Sequence, residues 1–414
     1  MNYKKILVSV IASTSLLVNA ALPVLATTIQ ITGNGTESEN TVEVEQTSTT
    51  GVTQTNDASI TNNVNLSAST GGNTASDNTS GNVTVKTGDA TAKATVENTV
   101  NSNQAEVGCC DTGDVDVLIS GNGTDTENKV EIEGGEKKDA PGVYITQDND
   151  SHITNNVDAY AKTGKNEAED NTGGDVEIDT GSATVDVTVK TTANFNSAVL
   201  SGSGEGGSLS AVITGNGEDS ENDIDIESGR QLLIAQKNYA SVNNDVDAYA
   251  KTGENDAEDN TGGDVSIETG DAEADVTVEN MVNFNWANMD CGCMLGSYSL
   301  KIGTNGKDTE NKIDLELGGA MWAEQGNIAG SGLKNDLDVL AKTGENEVED
   351  GTGSVDGDPV IDTGDALIDG SVYNSGNSNV LGGTPDWPDF SQTEIHFDFD
   401  WAALIALLGI HLNG

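Results

Sequence analysis

The feature that most constrains this chain is that much of it is written four times. Val246–Asn285 reads VDAYAKTGENDAEDNTGGDVSIETGDAEADVTVENMVNFN, and Val157–Asn196 reads VDAYAKTGKNEAEDNTGGDVEIDTGSATVDVTVKTTANFN. A looser copy occupies Val64–Asn103, and a fourth, with an insertion, occupies Leu337–Asn379. A repeat of this kind cannot bury its apolar face alone, so neighbouring copies must complete each other's core. Each copy follows a Gly-Asn block that opens at Ile31, Ile119, Ile213 and Ile302, at intervals of 88, 94 and 89 residues.

The apolar residues alternate. Val42 and Val44, Val130 and Ile132, Ile224 and Ile226, and Ile313 and Leu315 follow the four blocks. Further along the third copy the pattern is Val246-x-Ala248-x-Ala250, then Val265-x-Ile267, then Ala272-x-Ala274-x-Val276-x-Val278. Period-two alternation predicts half-buried β-strands. Thr-Gly pairs close the first two of these runs 17 residues apart in the first three copies and 20 apart in the fourth.

Two all-β architectures fit. In an elongated parallel β-solenoid, strand-plus-corner segments recur once per coil of roughly 17–22 residues and stack about 4.8 Å apart. Recurrent asparagines such as Asn98, Asn101 and Asn103, or Asn280, Asn283 and Asn285, would then form side-chain ladders along the axis. In the alternative, Thr-Gly marks hairpin turns and each repeat of about 90 residues is a tandem β-sandwich domain. The repeating half has no Trp at a recurrent position, which favours the solenoid. The expected division is a leader over 1–26, repeats over 27–108, 109–201, 202–290 and 291–380, and a tail over 381–414.

Composition agrees with a thin interior. Aromatics make up 4% of the chain and Gly numbers 49, so the core must be built from Val, Ile, Leu and Ala in many layers. The net charge is −51, which excludes nucleic acid and anionic lipid as natural partners and favours cations. Met1–Ala26 has a leader's three parts: Lys4 and Lys5, an apolar stretch Ile6–Val18, and Val24-Leu25-Ala26 as a small-residue cleavage site. This predicts a secreted protein, extracellular or held at the cell surface, with no transmembrane helix in the mature chain. In the tail, the continuously apolar Trp401–Leu408 is too short to span a bilayer and reads as a solenoid cap or a docking segment.

Three kinds of residue are candidates for chemistry. Cys109, Cys110, Cys291 and Cys293 follow the closing asparagines of repeats one and three, and four cysteines in an exported chain suggest disulfides. With about five short coils per repeat the two pairs would lie roughly 50 Å apart. Local closure, bridging between molecules and free or metal-bound thiols all remain open on that reading. Acidic turns at Asp125, Glu127, Asp219, Glu221, Asp308 and Glu310, and at Asp170, Asp175, Asp259 and Asp264, offer oxygen ligands for Ca²⁺, although none has EF-hand or nonapeptide spacing. His152, His396 and His411 sit in unrelated contexts with no nucleophile motif beside them, and an active site is normally built once whereas these motifs recur.

With its leader and its Gly-, Asn-, Thr- and Asp-rich tandem repeats, the chain resembles bacterial secreted tandem-repeat surface proteins of the adhesin-like β-solenoid class. That resemblance implies a structural or adhesive role outside the cell and no catalytic residues. The expected function is an exported stalk, fibre or surface-layer component that self-assembles or meets a cell-surface or glycan partner. A Ca²⁺-dependent glycan- or protein-binding module is the first alternative, and a β-helix enzyme acting on polysaccharide is the second.

Overall fold

The computed structural model describes residues 2–14, 18–20, 27–45, 49–109, 113–134, 142–202, 207–291, 296–328, 332–352 and 359–383. Ahead of the repeats lie β1 (Asn2–Thr14) and β2 (Val18–Ala20). Rung one comprises β3 (Thr27–Thr32), β4 (Glu39–Glu45), β5 (Thr50–Ser69), β6 (Thr74–Ser76), β7 (Val83–Lys86) and β8 (Ala90–Gly108). Rung two repeats the series with β9 (Val115–Ser120), β10 (Glu127–Gly134), β11 (Gly142–Lys162), β12 (Glu167–Glu169), β13 (Val176–Thr180) and β14 (Ala183–Ser201). Rung three has β15 (Ser208–Thr214), β16 (Glu221–Lys251), β17 (Asp256–Glu258), β18 (Val265–Thr269) and β19 (Ala272–Asp290). Rung four has β20 (Ser297–Gly303), β21 (Glu310–Asn327), β22 (Gly332–Lys342), β23 (Glu347–Glu349), β24 (Val360–Thr363) and β25 (Ala366–Leu381).

Among the described residues every strand pairing is parallel and, apart from β1 and β2 on β8, joins one rung to the next, in five sheets. The register is that of the sequence repeat: Val64 pairs with Val157, Val157 with Val246, and Val246 with Leu337. The chain is therefore an all-β parallel solenoid, and the tandem-sandwich alternative is excluded because the sheets run between repeats. The described rungs belong to one compact unit that ends at Leu381.

The coil differs from expectation. One whole repeat of about 90 residues makes a single turn of the solenoid, not one of 17–22 residues, so four rungs rise only about 19 Å at 4.8 Å each. The 17-residue Thr-Gly interval is instead the two sides of an end loop. Thr70 Oγ1 donates to the Gly88 carbonyl, Thr163 to Gly181, Thr252 to Gly270 and Thr343 to Gly364, at 2.6–2.9 Å. The same lock closes the fourth copy despite its longer interval, and β24 and β25 keep the register of the rung below.

After the loop, β8 returns alongside β5, and the equivalent strands do so in every rung, leaving a narrow interior between two sheets. Small residues fill it: Ala90, Ala92, Ala94 and Val96, with their counterparts in β14 and β19, face Val64, Leu66 and Ala68 and their counterparts. A second apolar layer holds Ala58, Ile153, Val100, Ala193 and Val282, and a third holds Ile145, Leu200, Leu232 and Ile234. Amide layers separate them. Asn62 donates to Asn155, Asn155 to Asn244 and Asn244 to Asn335 at 2.6–2.8 Å, while Asn103, Asn196, Asn285 and Asn379 form a parallel ladder at 2.8–2.9 Å. The expected asparagine ladders are thus present at Asn101 and at Asn103, whereas the Asn98 column is interrupted by Thr191 in rung two, and Gln54, Gln147, Gln236 and Gln325 add another. Stacking is what lets these buried amides satisfy each other, since an unpaired one costs about 1–3 kcal/mol.

Asn101, Asn194, Asn283 and Asn377 have φ between +57° and +63°, and the strand register skips them. The left-handed step turns two consecutive residues inward, as Val100 and Asn101 are, and Asn tolerates it better than any β-branched residue. Gly71, Gly164 and Gly253 are held more tightly still. Their φ values lie near +100°, and a Cβ on any of them would stand 1.9 Å from the carbonyl oxygen of the matching glycine in the next rung.

Candidate functional site

The acidic turns lie at corners of the coil, where the repeat stacks them into columns. Asp125, Asp219 and Asp308 follow one another up the solenoid with φ of +53°, +53° and +59°, and Asp170 and Asp259 do the same at another corner with +55° and +53°. Asp is among the few residues at ease in that left-handed conformation, which suits it to these five corners. Glu127, Glu221 and Glu310 open the strands that follow the first corner and share one register line. Asp175 accepts hydrogen bonds from Asn82 Nδ2 at 3.2 Å and from the Asp264 backbone at 3.2 Å. Among the described residues, no group of three or more His, Cys, Asp or Glu forms a cluster that could hold a metal ion. The candidates come together one above the next along the axis instead of around a common centre.

The outer face of the sheet built on β5, β11, β16 and β22 carries the richest chemistry. Asp158, Asp247 and Asp338 form one column and Tyr160, Tyr249 and Leu340 the adjacent one. The Tyr160 and Tyr249 rings stack with centroids 5.2 Å apart and planes 5° from parallel. Tyr249 donates its hydroxyl proton to Asp338, which pushes its pKa up to about 12. Burial, then the neighbouring Asp158, Asp245 and Asp338, raises Asp247 above the ordinary carboxylate range. Further along, Glu254 is held below that range by a hydrogen bond from Lys162 at 2.6 Å. The recurrent Ala-Lys-Thr-Gly put Lys162, Lys251 and Lys342 in one column, and this column is where the acidic surface is partly neutralised. The stacked tyrosines were missed by sequence reasoning; their signal was the matched Tyr160 and Tyr249 in the two closest copies.

The cysteines fall differently from expectation. Cys109 and Cys291 form a disulfide with Cα atoms 5.9 Å apart, joining rung one to rung three across 182 residues. They are not roughly 50 Å apart, because each repeat adds one rung and not five. Gly202 occupies rung two between them, bonded to the Asp290 carbonyl while Cys109 bonds to Ser201, so no side chain intervenes. Cys110 and Cys293 lie outside the described residues. His152 sits on the outer face, its ring tilted against Tyr239 at 5.3 Å and its Nδ1 3.2 Å from Asp150. His396, His411 and Trp401–Leu408 lie outside the described residues.

Compared with known proteins, the chain matches no family model, no curated sequence and no solved structure. No helix among the described residues is long and apolar enough to cross a membrane. What the site offers chemically is therefore a matter of its own geometry: columns of like residues, repeated at rung spacing on a polar sheet face.

Proposed function

We propose that this chain is an exported structural or adhesive protein of the cell surface, without catalytic activity. The observation that carries this reading is the in-register repetition itself. It turns each outward residue into a column and so makes a periodic surface, where catalysis would need one unlike group placed against another. The surface is strongly acidic, which keeps copies soluble outside the cell and disfavours nucleic acid. A leader at Met1–Ala26 supplies the route out. The stacked Tyr160 and Tyr249, beside the column of Asp158, Asp247 and Asp338, form the adhesive element of choice, since an aromatic pair with Tyr160 exposed on a polar sheet suits the flat apolar face of a sugar or a protein side chain.

Fractionating cells that express residues 1–414 tests this. The expected result is a chain in the medium or open to protease on intact cells, whose first residue is Thr27 by mass spectrometry. A chain found only in the cytoplasm with Met1–Ala26 intact would overturn it. For the adhesive element, Tyr160→Ala with Tyr249→Ala should reduce binding to glycan arrays or host surfaces at least tenfold while leaving the circular dichroism spectrum unchanged.

A further inference from the structure

The two ends of the solenoid are complementary. At one end, rung four leaves core positions open: Leu315, Ile361 and Val372 are 41–45% exposed, whereas Ile226, Ile267 and Val278 directly beneath them are fully buried. At the other end, the first-rung edge already holds a strand. β1 pairs with β8 in parallel from Asn2 on Ala90 to Thr14 on Ser102, starting at the position where β14 and β19 start on their neighbours. That edge accepts a strand in the solenoid's own register, and the residues seated on it belong to the leader.

The charges also match. Rung one is the least acidic, with nine acids in 27–108 against twenty in 202–290. Following the register, Lys86 occupies the column that ends at Asp362, and Lys93 the column that ends at Asp369. Neutral Asn65, Thr74 and Ser76 stand in the columns that end at Asp338, Glu347 and Glu349. Inside the chain Lys86 already bridges to Asp179 at 3.0 Å and Lys93 pairs with Asp186, so a lysine in these columns suits an acid in the adjoining rung. Each amide ladder keeps one sense through all four rungs: the asparagines donate upward from Asn62 through Asn155 and Asn244 to Asn335, and the glutamines donate downward from Gln325 through Gln236 and Gln147 to Gln54, so an Asn62 and a Gln54 of a second copy beyond Asn335 and Gln325 would extend both.

We propose that a second copy of this chain docks its rung one on rung four, continuing the solenoid head to tail, and that the leader strand β1 blocks this until it is removed. Such an interface is heterologous and does not close on itself, so it builds a fibre. The proposal deepens the surface reading above and rests on it only for removal of the leader. Lys93 would meet Asp369 of the neighbouring copy, and Lys86 would meet Asp362.

A cysteine trap tests it. Thr95 and Ser371 occupy one outward column, in which Ser371 sits 3.3 Å from Thr277, and adjoining rungs bring Cα atoms within disulfide reach. Secreted, leader-free chain carrying T95C and S371C should give a covalent ladder of dimers, trimers and higher multiples on oxidation; either single variant should not. The same double variant with its leader retained should stay monomeric. Sedimentation of the unmodified chain supplies a second arm: Lys93→Glu should weaken association at least tenfold, and mixing it with an Asp369→Lys copy should restore it. Monomers throughout would overturn the proposal, including monomers in which protection of 384–414 from protease shows the chain's own tail on the open end. Monomers recovered from the cell surface would leave the surface reading intact, whereas fibres from a chain never exported would do the reverse.

Discussion

Rungs three and four are built on the same plan, yet only rung three has its core sealed. In rung three Ile226, Ile267 and Val278 are sealed, whereas their partners Leu315, Ile361 and Val372 in rung four are open by more than two-fifths. The two rungs share alternation, turns and amide positions; what differs is that rung three has a neighbour on both sides. Strand propensity places these side chains on the inner face, but burial comes from the next rung. Stability in this molecule is therefore a property of interfaces between repeats, as in other quasi-one-dimensional architectures.

The glycine column should show the difference most strongly. Gly253→Ala would drive a Cβ into the Gly344 carbonyl at 1.9 Å, and we expect a loss of about 4 kcal/mol or failure to fold. Gly344→Ala meets nothing closer than the Thr363 methyl at 3.8 Å, so only its positive φ is strained, at about 1–2 kcal/mol. Chemical denaturation of both variants measures the gap, and equal losses would break the comparison. The disulfide ranks next. It ties rung one to rung three, and Cys109→Ser with Cys291→Ser should cost about 2–5 kcal/mol by the same assay.

The amide ladders give a smaller effect. Asn196 is fully buried and bonds to Asn285 and Asn238 on its own account and to Asn103 and Asn149 as acceptor. Asn196→Ala should cost about 2–3 kcal/mol through the partners it orphans, and Asn379→Ala, at the open end, under about 1 kcal/mol. Acid titration is gentler. Glu133, Asp247, Glu258 and Asp275 are raised first by burial and then by neighbouring acids, and Glu349 first by its hydrogen bond with Glu347. A raised group binds more protons folded than unfolded between its ordinary and its raised value, so lowering the pH into that window stabilises the fold. Asp114, bonded by the Ser208 backbone, and Glu254, bonded by Lys162, are lowered and act oppositely, losing stability only as the pH falls below the ordinary range. The melting temperature should rise by a few degrees from pH 7 to about 5 and then fall. Calcium should move it least, by under about 1 °C at millimolar concentration, because the acids form columns and not cages; a strong rise would restore the ligand reading of Asp125, Asp219 and Asp308.

Much of this was legible in the sequence. Alternation at Val246-x-Ala248-x-Ala250 placed the strands, and the matched Asn103 and Asn285 anticipated the ladders, because both depend only on period and chemistry. Coil length was not legible. The Thr-Gly recurrence at 17 residues looks like a coil period, and only the hydrogen bond from Thr252 to Gly270 reveals it as a loop closure. The cysteine pairing failed for the same reason, since the distance from Cys109 to Cys291 depends on how many rungs separate them. The left-handed backbone at Asp170 and Asp259 was not legible either, because a positive φ at a non-glycine residue leaves no mark in the sequence pattern.

One coil per repeat is the central claim, and disulfide mapping tests it most directly. Monomeric chain, alkylated without reduction, digested and fragmented in the mass spectrometer, should yield a peptide in which Cys109 is joined to Cys291. Local closure of Cys109 with Cys110 or of Cys291 with Cys293 would instead return the two sites to distant coils, and the single-coil account would fail.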